Sequence, residues 1–243
     1  MFYLIGIGLG NEKDITVKGL EIVKSCDKVF LDVYTSKLAD FYIERLKKFY
    51  GRDVIEANRE MIETECEFKM LKLAKEKNVA LLVVGSPLSA TTHIDILQRA
   101  RKLGVQTKVV DNASIVSAVG ITGLSIYKFG RIVTLPKQNE GVKSPYAMML
   151  KNKQLGMHTL VLLDVQNMEK GLDLMSAREG LDYLIKNGLK KNEMVVACGG
   201  LGSDDAEICY GKASEVTISK YPQCILIPGE LHFMEKEVLE TFV

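Results

Sequence analysis

Short apolar runs alternate along this chain with longer stretches at helical spacing. Residues 2–7, 28–33 and 80–84 are unbroken or nearly unbroken apolar runs, and 107–110 reads as a further strand. Runs of that length suit strands buried on both faces of a parallel sheet. Between them, residues 16–25, 38–50, 58–77 and 94–102 repeat apolar positions every three or four residues and predict helices. In the first, Val17, Leu20, Ile22 and Val23 make the stripe; in the second, Phe41, Tyr42, Leu46 and Phe49; in the third, Met61, Phe68, Leu71 and Ala74. The alternation β-α-β-α predicts an α/β fold with right-handed crossovers.

The best-marked of these units is residues 80–93, A-L-L-V-V-G-S-P-L-S-A-T-T-H. Gly85 permits backbone geometry barred to other residues, and Pro87 fixes φ and lacks an N–H, so the strand stops there. Thr91 and Thr92 are predicted to cap a helix from near His93, with Ile94, Leu97 and Arg101 following at helical spacing. A turn of this kind lies at the carboxyl end of a strand, where open α/β sheets bind ligands. An ordinary connection fits the spacing equally.

A second such turn is Gly6-Ile-Gly8-Leu-Gly10-Asn11. Gly6, Gly8 and the later Asp32 fit a dinucleotide fingerprint, in which an acidic residue meets the ribose. Asn11 stands where the third glycine belongs, and Glu12 and Asp14 place two carboxylates where a pyrophosphate would sit. A nicotinamide site and plain close packing of strand on helix both remain open from spacing alone.

The second half repeats the alternation. Residues 116–127 predict a helix rich in small residues, which something can approach closely. Residues 132–135 read as a strand and 136–144 as a polar break. The expected domains are therefore 1–135 and 136–243. A helix over 144–155 should face Met148 and Met149 inwards. A strand over 159–165, a helix over 176–187 opened by a Ser176/Glu179 capping box, and a strand over 193–198 follow. Gly199-Gly200-Leu201-Gly202-Ser203 makes a tight turn, 224–227 a strand broken by Pro228-Gly229, and 235–242 a last helix.

Composition narrows the function. The 243 residues carry 32 Lys plus Arg against 31 Asp plus Glu, a net charge of +1, so no broad basic field points to nucleic acid. Five cysteines, Cys26, Cys66, Cys198, Cys209 and Cys224, include no C-x-x-C and fit free thiols in a reducing compartment. No clustered metal ligands, signal peptide or apolar run of ~20 residues is evident, so a soluble, intracellular protein is expected. His93, His158 and His232 belong to no hydrolase or zinc motif and read as hydrogen-bonded structural residues; no catalytic residue is assigned. What remains is glycine-rich strand-end turns in both halves, suited to holding a semi-polar cofactor through backbone groups.

Longer blocks carry a resemblance. Gly6-Ile-Gly-Leu-Gly10, with Asp14-Ile-Thr-Val-Lys-Gly-Leu20 and Cys26-Asp-Lys-Val-Phe30, resembles the opening of the tetrapyrrole methylase superfamily, and Gly85-Ser-Pro-Leu-Ser-Ala-Thr-Thr-His93 resembles its second signature. Val33-Tyr-Thr-Ser36, Ser114-Ile-Val-Ser-Ala-Val-Gly-Ile-Thr-Gly-Leu124, Ile126-Tyr-Lys-Phe-Gly130, Gly156-Met-His-Thr-Leu160 and Pro228-Gly-Glu-Leu-His232 are similar to the diphthine synthase family within it, and residues 153–160 look more like its eukaryotic branch. The resemblance implies a two-domain tetrapyrrole methylase-like fold, each domain a mainly parallel or mixed sheet flanked by helices, with S-adenosylmethionine folded into the cleft between them. It also implies a cytoplasmic homodimer that methylates the diphthamide-precursor histidine of translation elongation factor 2. Eukaryotic members are held to add three methyls to the amine and one to a carboxylate, giving the methyl ester; archaeal members stop at the trimethylated amine. Matching the motifs places Leu9, Ser86, Ser89, Ser114, Ile115, Leu163, Leu201 and His232 at the cofactor. One position departs: the family usually has Gly-Asp-Pro in the central turn, and here Ser86 replaces the aspartate. A small-molecule methyltransferase of the same fold, or a non-catalytic module that docks on a translation factor, are the alternatives.

Overall fold

The computed structural model describes residues 1–168 and 171–243. They form two compact units, Met1–Ile115 and Val116–Val243. No helix among the described residues is long and apolar enough to cross a membrane.

The first unit is built on β1 (Phe2–Gly6), α1 (Val17–Ser25), β2 (Lys28–Asp32), α2 (Ile43–Tyr50), β3 (Ile55–Ala57), α3 (Arg59–Glu63), β4 (Val79–Val83), α4 (Ile94–Lys102) and β5 (Thr107–Val110). The strands form one parallel sheet in the order β3-β2-β4-β1-β5. The chain leaves β1 in one direction along the sheet, towards β2, and leaves β4 in the other, towards β5. Right-handed crossovers must then put α1 and α4 on opposite faces, and the packing agrees. Phe2, Leu4, Leu81 and Val83 point to the face covered by α4 and the segment after β3. Ile5, Ile7, Ala80 and Leu82 point to the face covered by α1 and α2. Both faces of β1 and β4 are therefore dry, as their unbroken apolar runs require.

The expected long helix over 58–77 is broken. Asn58 caps α3, its side chain accepting from the Met61 N–H at 3.0 Å, and the chain then passes through a π turn (Glu67–Leu71) and a 3₁₀ turn (Leu73–Lys75). The reason lies in the spacing of the buried residues. Ile62, Cys66, Met70 and Ala74 recur every four positions and all enter the core. A straight α-helix would carry such a row steadily off its face, since four residues turn it by more than one full turn. The π turn, with Lys72 N–H reaching Glu67 C=O at 2.8 Å, takes up the extra rotation. Phe68, expected in the stripe, is instead 68% exposed. Likewise α2 starts at Ile43 rather than near 38, and its buried residues are Leu46 and Tyr50.

The second unit opens with α5 (Ile115–Ala118), which begins at the last residue of the first unit, and continues through β6 (Val133–Leu135), α6 (Ser144–Gln154), β7 (Thr159–Leu163), β8 (Val165–Met168), β9 (Gly171–Leu174), α7 (Ala177–Lys186), β10 (Met194–Gly199), β11 (Glu207–Lys212), β12 (Gln223–Ile227) and α8 (Phe233–Leu239). Its sheet is mixed, in the order β11-β10-β12-β7-β6, with only β6 and β7 parallel. Since β6 pairs with β7, the strand that the pattern placed last in the first domain is hydrogen-bonded within the second unit. The hairpin β8–β9 was not anticipated. Val161, Leu163, Val195, Ala197 and Ile225 face a core completed by Met149 of α6 and Leu181 and Leu184 of α7. The capping box at Ser176 and Glu179 is present. The small-residue stretch is α5 followed by 3₁₀ turns rather than one helix. The close neighbour it admits is α8: a Cβ on Gly123 would stand 2.5 Å from Val238.

The π turn makes a prediction about stability. Met70→Ala should destabilise the protein by about 2–5 kcal/mol, and Phe68→Ala by less than about 0.5 kcal/mol, in urea unfolding. Equal effects would mean that the turn does not set which face is buried.

Candidate functional site

In the first unit the loops after β1, β4 and β5 meet above the end of β1, where Gly6 has no side chain. A Cβ there would lie 2.5 Å from Gly85 O, 2.9 Å from Asn112 Cβ and 3.0 Å from Pro87 Cδ. Beyond Gly6, Gly8 (φ +78°) and Gly85 (φ +76°) turn towards one another. They form an isolated antiparallel bridge, Gly85 N–H to Gly8 C=O at 2.7 Å and Gly8 N–H to Gly85 C=O at 3.4 Å. Positive φ at both positions explains why glycine stands there. Asn112 ties in the third loop, donating from Nδ2 to Gly6 O and to Asp14 O, each at 3.0 Å.

These contacts gather most of the residues expected in this unit. A Cβ on Gly85 would meet Leu9 Cδ2 at 3.7 Å, Ala113 O at 3.8 Å and Ser114 Cα at 3.8 Å, so the glycine leaves a hollow framed by Leu9 and Ser114. Ser86 and Ser114 are both buried. Ser89 N–H donates to Ser86 O at 3.1 Å, and Ile115 opens α5 directly after Ser114. Thr91 does not cap α4: its hydroxyl donates to Pro87 O at 2.6 Å, and the residue before α4 is His93, without a side-chain cap.

The carboxylates near this edge are already committed. Asp14 Oδ2 accepts from Gly10 N–H at 2.6 Å, occupying an amide that a pyrophosphate would need. Glu12 is buried against Arg45, with Nε to Oε2 at 2.6 Å. Asp32 is 1% exposed and accepts from Tyr34 N–H, Thr35 N–H and the Thr35 hydroxyl at 2.9, 3.2 and 2.5 Å. His93 Nε2, equally buried, stands 3.0 Å from Asp32 Oδ2 without the alignment of a hydrogen bond. A buried, saturated Asp32 cannot receive a ribose, and the nicotinamide reading falls on that ground.

In the second unit the register separates the expected residues. Gln223 pairs with Gly199, and Cys224 with Leu162, so Leu163 and the Gly200-Leu201-Gly202 turn share one edge of the sheet. Ile227 pairs with Thr159, so the Pro228–His232 loop leaves from the opposite edge. Leu163 packs inwards against Gly180 of α7. Leu201 is buried between Gly200 (φ +62°) and Gly202 (φ +97°). His232 is exposed; its Nδ1 accepts from Met234 N–H at 3.4 Å at the start of α8.

Beside His232 lies a polar cluster that sequence reasoning missed. Gly229 N–H donates to His158 Nδ1 at 2.9 Å, which fixes the other ring nitrogen as the N–H that meets Glu235 Oε1 at 3.1 Å. Glu235, also buried, further accepts from Ser125 N–H at 2.9 Å, His232 N–H at 2.8 Å and Lys128 Nζ at 2.6 Å. Burial alone would raise its pKa, but these donors outweigh burial and hold the carboxyl well below the usual range. His158 is pushed down from its usual value, chiefly by burial, against the pull of Glu235. The available signal was Glu235 three residues after His232, a capping-box spacing with histidine in place of serine.

The profile of Tetrapyrrole (Corrin/Porphyrin) Methylases matches residues 1–217. The chain belongs to that family. Among its relatives, diphthine methyl ester synthase 2 of Candida albicans is 47% identical over 100% of this chain and 90% of its own. The diphthine synthase of Methanococcus maripaludis is 37% identical over 99% and 98%. A crystal structure of diphthine synthase superposes with a TM-score of 0.89 at 33% identity, covering 100% of this chain and 95% of that one. A methylase needs a methyl donor. The residues around Gly85, the apolar Leu9 beside the Ala113 carbonyl and Ser114, offer both apolar and hydrogen-bonding groups at one strand-end turn.

The buried His158–Glu235 pair predicts acid lability. The depressed His158 value contributes stability above the ordinary histidine pKa of 6.5, and this is lost as pH falls through 6.5 and below. The depressed Glu235 value contributes stability above 4.5, lost as pH falls further. Urea midpoints from pH 8 to 2 should therefore fall in two stages, and Glu235→Gln should flatten the lower one. An unchanged lower stage in that variant would refute the assignment.

Proposed function

We propose that this protein is an S-adenosylmethionine-dependent methyltransferase of diphthamide biosynthesis, acting on the modified histidine of translation elongation factor 2. The likeness to diphthine synthases along essentially the whole chain carries the reading. The three-loop cluster at Gly85 supports it, because its neighbours Leu9, Ser86, Ser89, Ser114 and Ile115 are the residues the motif comparison assigns to the cofactor. Leu163 at the end of β7, Leu201 in its glycine turn and His232 ahead of α8 are proposed as further cofactor contacts on the motif match. A cytoplasmic homodimer is the proposed working form.

The cofactor, when bound, supplies a methyl group on a sulfonium that leaves as a neutral thioether. Charge is dispersed in such a displacement, so the protein's task is alignment, which contributes on the order of 7–11 kcal/mol in the best cases. The glycine bridge and Asn112 do that part, by fixing three loops against one another at one strand end. Asp14, Asp32 and Glu12 beside it are bound internally and are not available for the holding.

Gly85→Val tests the site. A branched side chain at φ +76° is strained and would fill the hollow beside Leu9 and Ser114. Calorimetry should show S-adenosylmethionine binding weakened at least about a hundredfold, roughly 2.7 kcal/mol, while the oligomeric state is unchanged. Mass spectrometry of the target histidine, after incubating wild-type enzyme with cofactor and elongation factor 2, should show added methyls. Unaltered binding in the variant removes the central turn from the site, and an unmodified histidine removes the substrate.

A further inference from the structure

The central turn carries no carboxylate, since Ser86 stands between Gly85 and Pro87. The fold supplies one from next door. In the order β4-β1-β5 the loops after β4 and β5 flank β1, and Gly6 lets them touch across its end. The residue at that contact is Asp111, directly after β5. Its Oδ1 lies 3.4 Å from the Ser86 hydroxyl, and Asn112 N–H points at the same hydroxyl at 3.5 Å. Asp111 is exposed, and no Lys, Arg or His among the described residues forms an ion pair with it. Asn112 is bolted to Gly6 and Asp14, so the residue before it cannot swing far from the turn. A carboxylate without an ion-pair partner among the described residues is thus held at the loop cluster by the Ser86 hydroxyl.

We propose that Asp111 is the anionic partner of the methyl donor's α-ammonium in this protein, with Ser86 orienting its carboxylate; the inference rests on the cofactor reading above. A carboxylate meeting an ammonium makes a charge-assisted hydrogen bond, about twice as strong as a neutral one.

Calorimetry on the full chain with S-adenosylhomocysteine, and with its analogue lacking the amino group, decides this. Asp111→Asn should weaken S-adenosylhomocysteine about tenfold to a hundredfold and leave the weaker binding of the amine-free analogue unchanged. The double variant Ser86→Asp with Asp111→Asn should recover S-adenosylhomocysteine affinity to within about threefold, because a carboxylate again stands at the loop cluster. Wild-type affinity in Asp111→Asn overturns the proposal. Equal losses for both ligands overturn it too, since they mark a loop disturbed rather than an ammonium unpaired. If the wild-type chain binds neither ligand, the cofactor reading itself fails and the inference with it.

Discussion

Two main-chain hydrogen bonds between Gly8 and Gly85 hold together the edge of the first unit where three loops meet. In a parallel sheet the loops leaving neighbouring strands normally run to different helices and have no reason to pair. Here β1 and β4 send their chains to opposite faces, yet both loops first turn back at a glycine and join. Remove the positive φ at either position and the turn cannot form, and with it go the seats of Leu9, Ser86 and Ser114. Asn112 extends the same arrangement to β5 through its bonds to Gly6 and Asp14. The site is therefore a property of three strand ends and not of any one motif.

Charge has a structural use throughout this edge. Asp14 serves an amide of its own turn, Glu12 serves Arg45, and Asp32 serves the residues that follow it and faces His93. Each of these was a candidate for chemistry when seen as a letter in the sequence. Burial and saturation withdraw them, and what remains where the three loops meet is backbone, hydroxyl and the exposed Asp111. Such a surface suits a ligand that brings its own reactivity, because a preorganised set of weak dipoles positions it at little reorganisation cost.

The parts legible in the sequence were those with a local cause. Short strand-like runs gave β1, β2, β4 and β5, and Ser176 with Glu179 marked the start of α7. Glycines at strand ends marked the turns where the loops meet, and the longer blocks identified the family. The parts not legible depend on distant partners. Phe68 fits a helical stripe as well as Met70 does, and only a π turn, invisible to a 3.6-residue period, decides between them. Thr91 looked like a cap until Pro87 O claimed its hydroxyl. His158 and Glu235 lie 77 positions apart, so nothing local could announce that they share a proton donor and acceptor. Pairing β6 with β7 rather than with the first sheet is likewise a long-range choice.

The Glu235 cluster bears on how the chain is made. Domains emerging from the ribosome fold in order of synthesis. The first unit has its whole sheet once Val110 is out. The second has its strands by Ile227, but the imidazole N–H of His158 and the amide of Ser125 find their acceptor only when residue 235 arrives. Until then a buried ring is left with an unmet donor, at a cost of about 1–3 kcal/mol. Synthesis should thus pass through a stage in which one half is finished and the other waits, its interior polar and open, for a single late carboxylate.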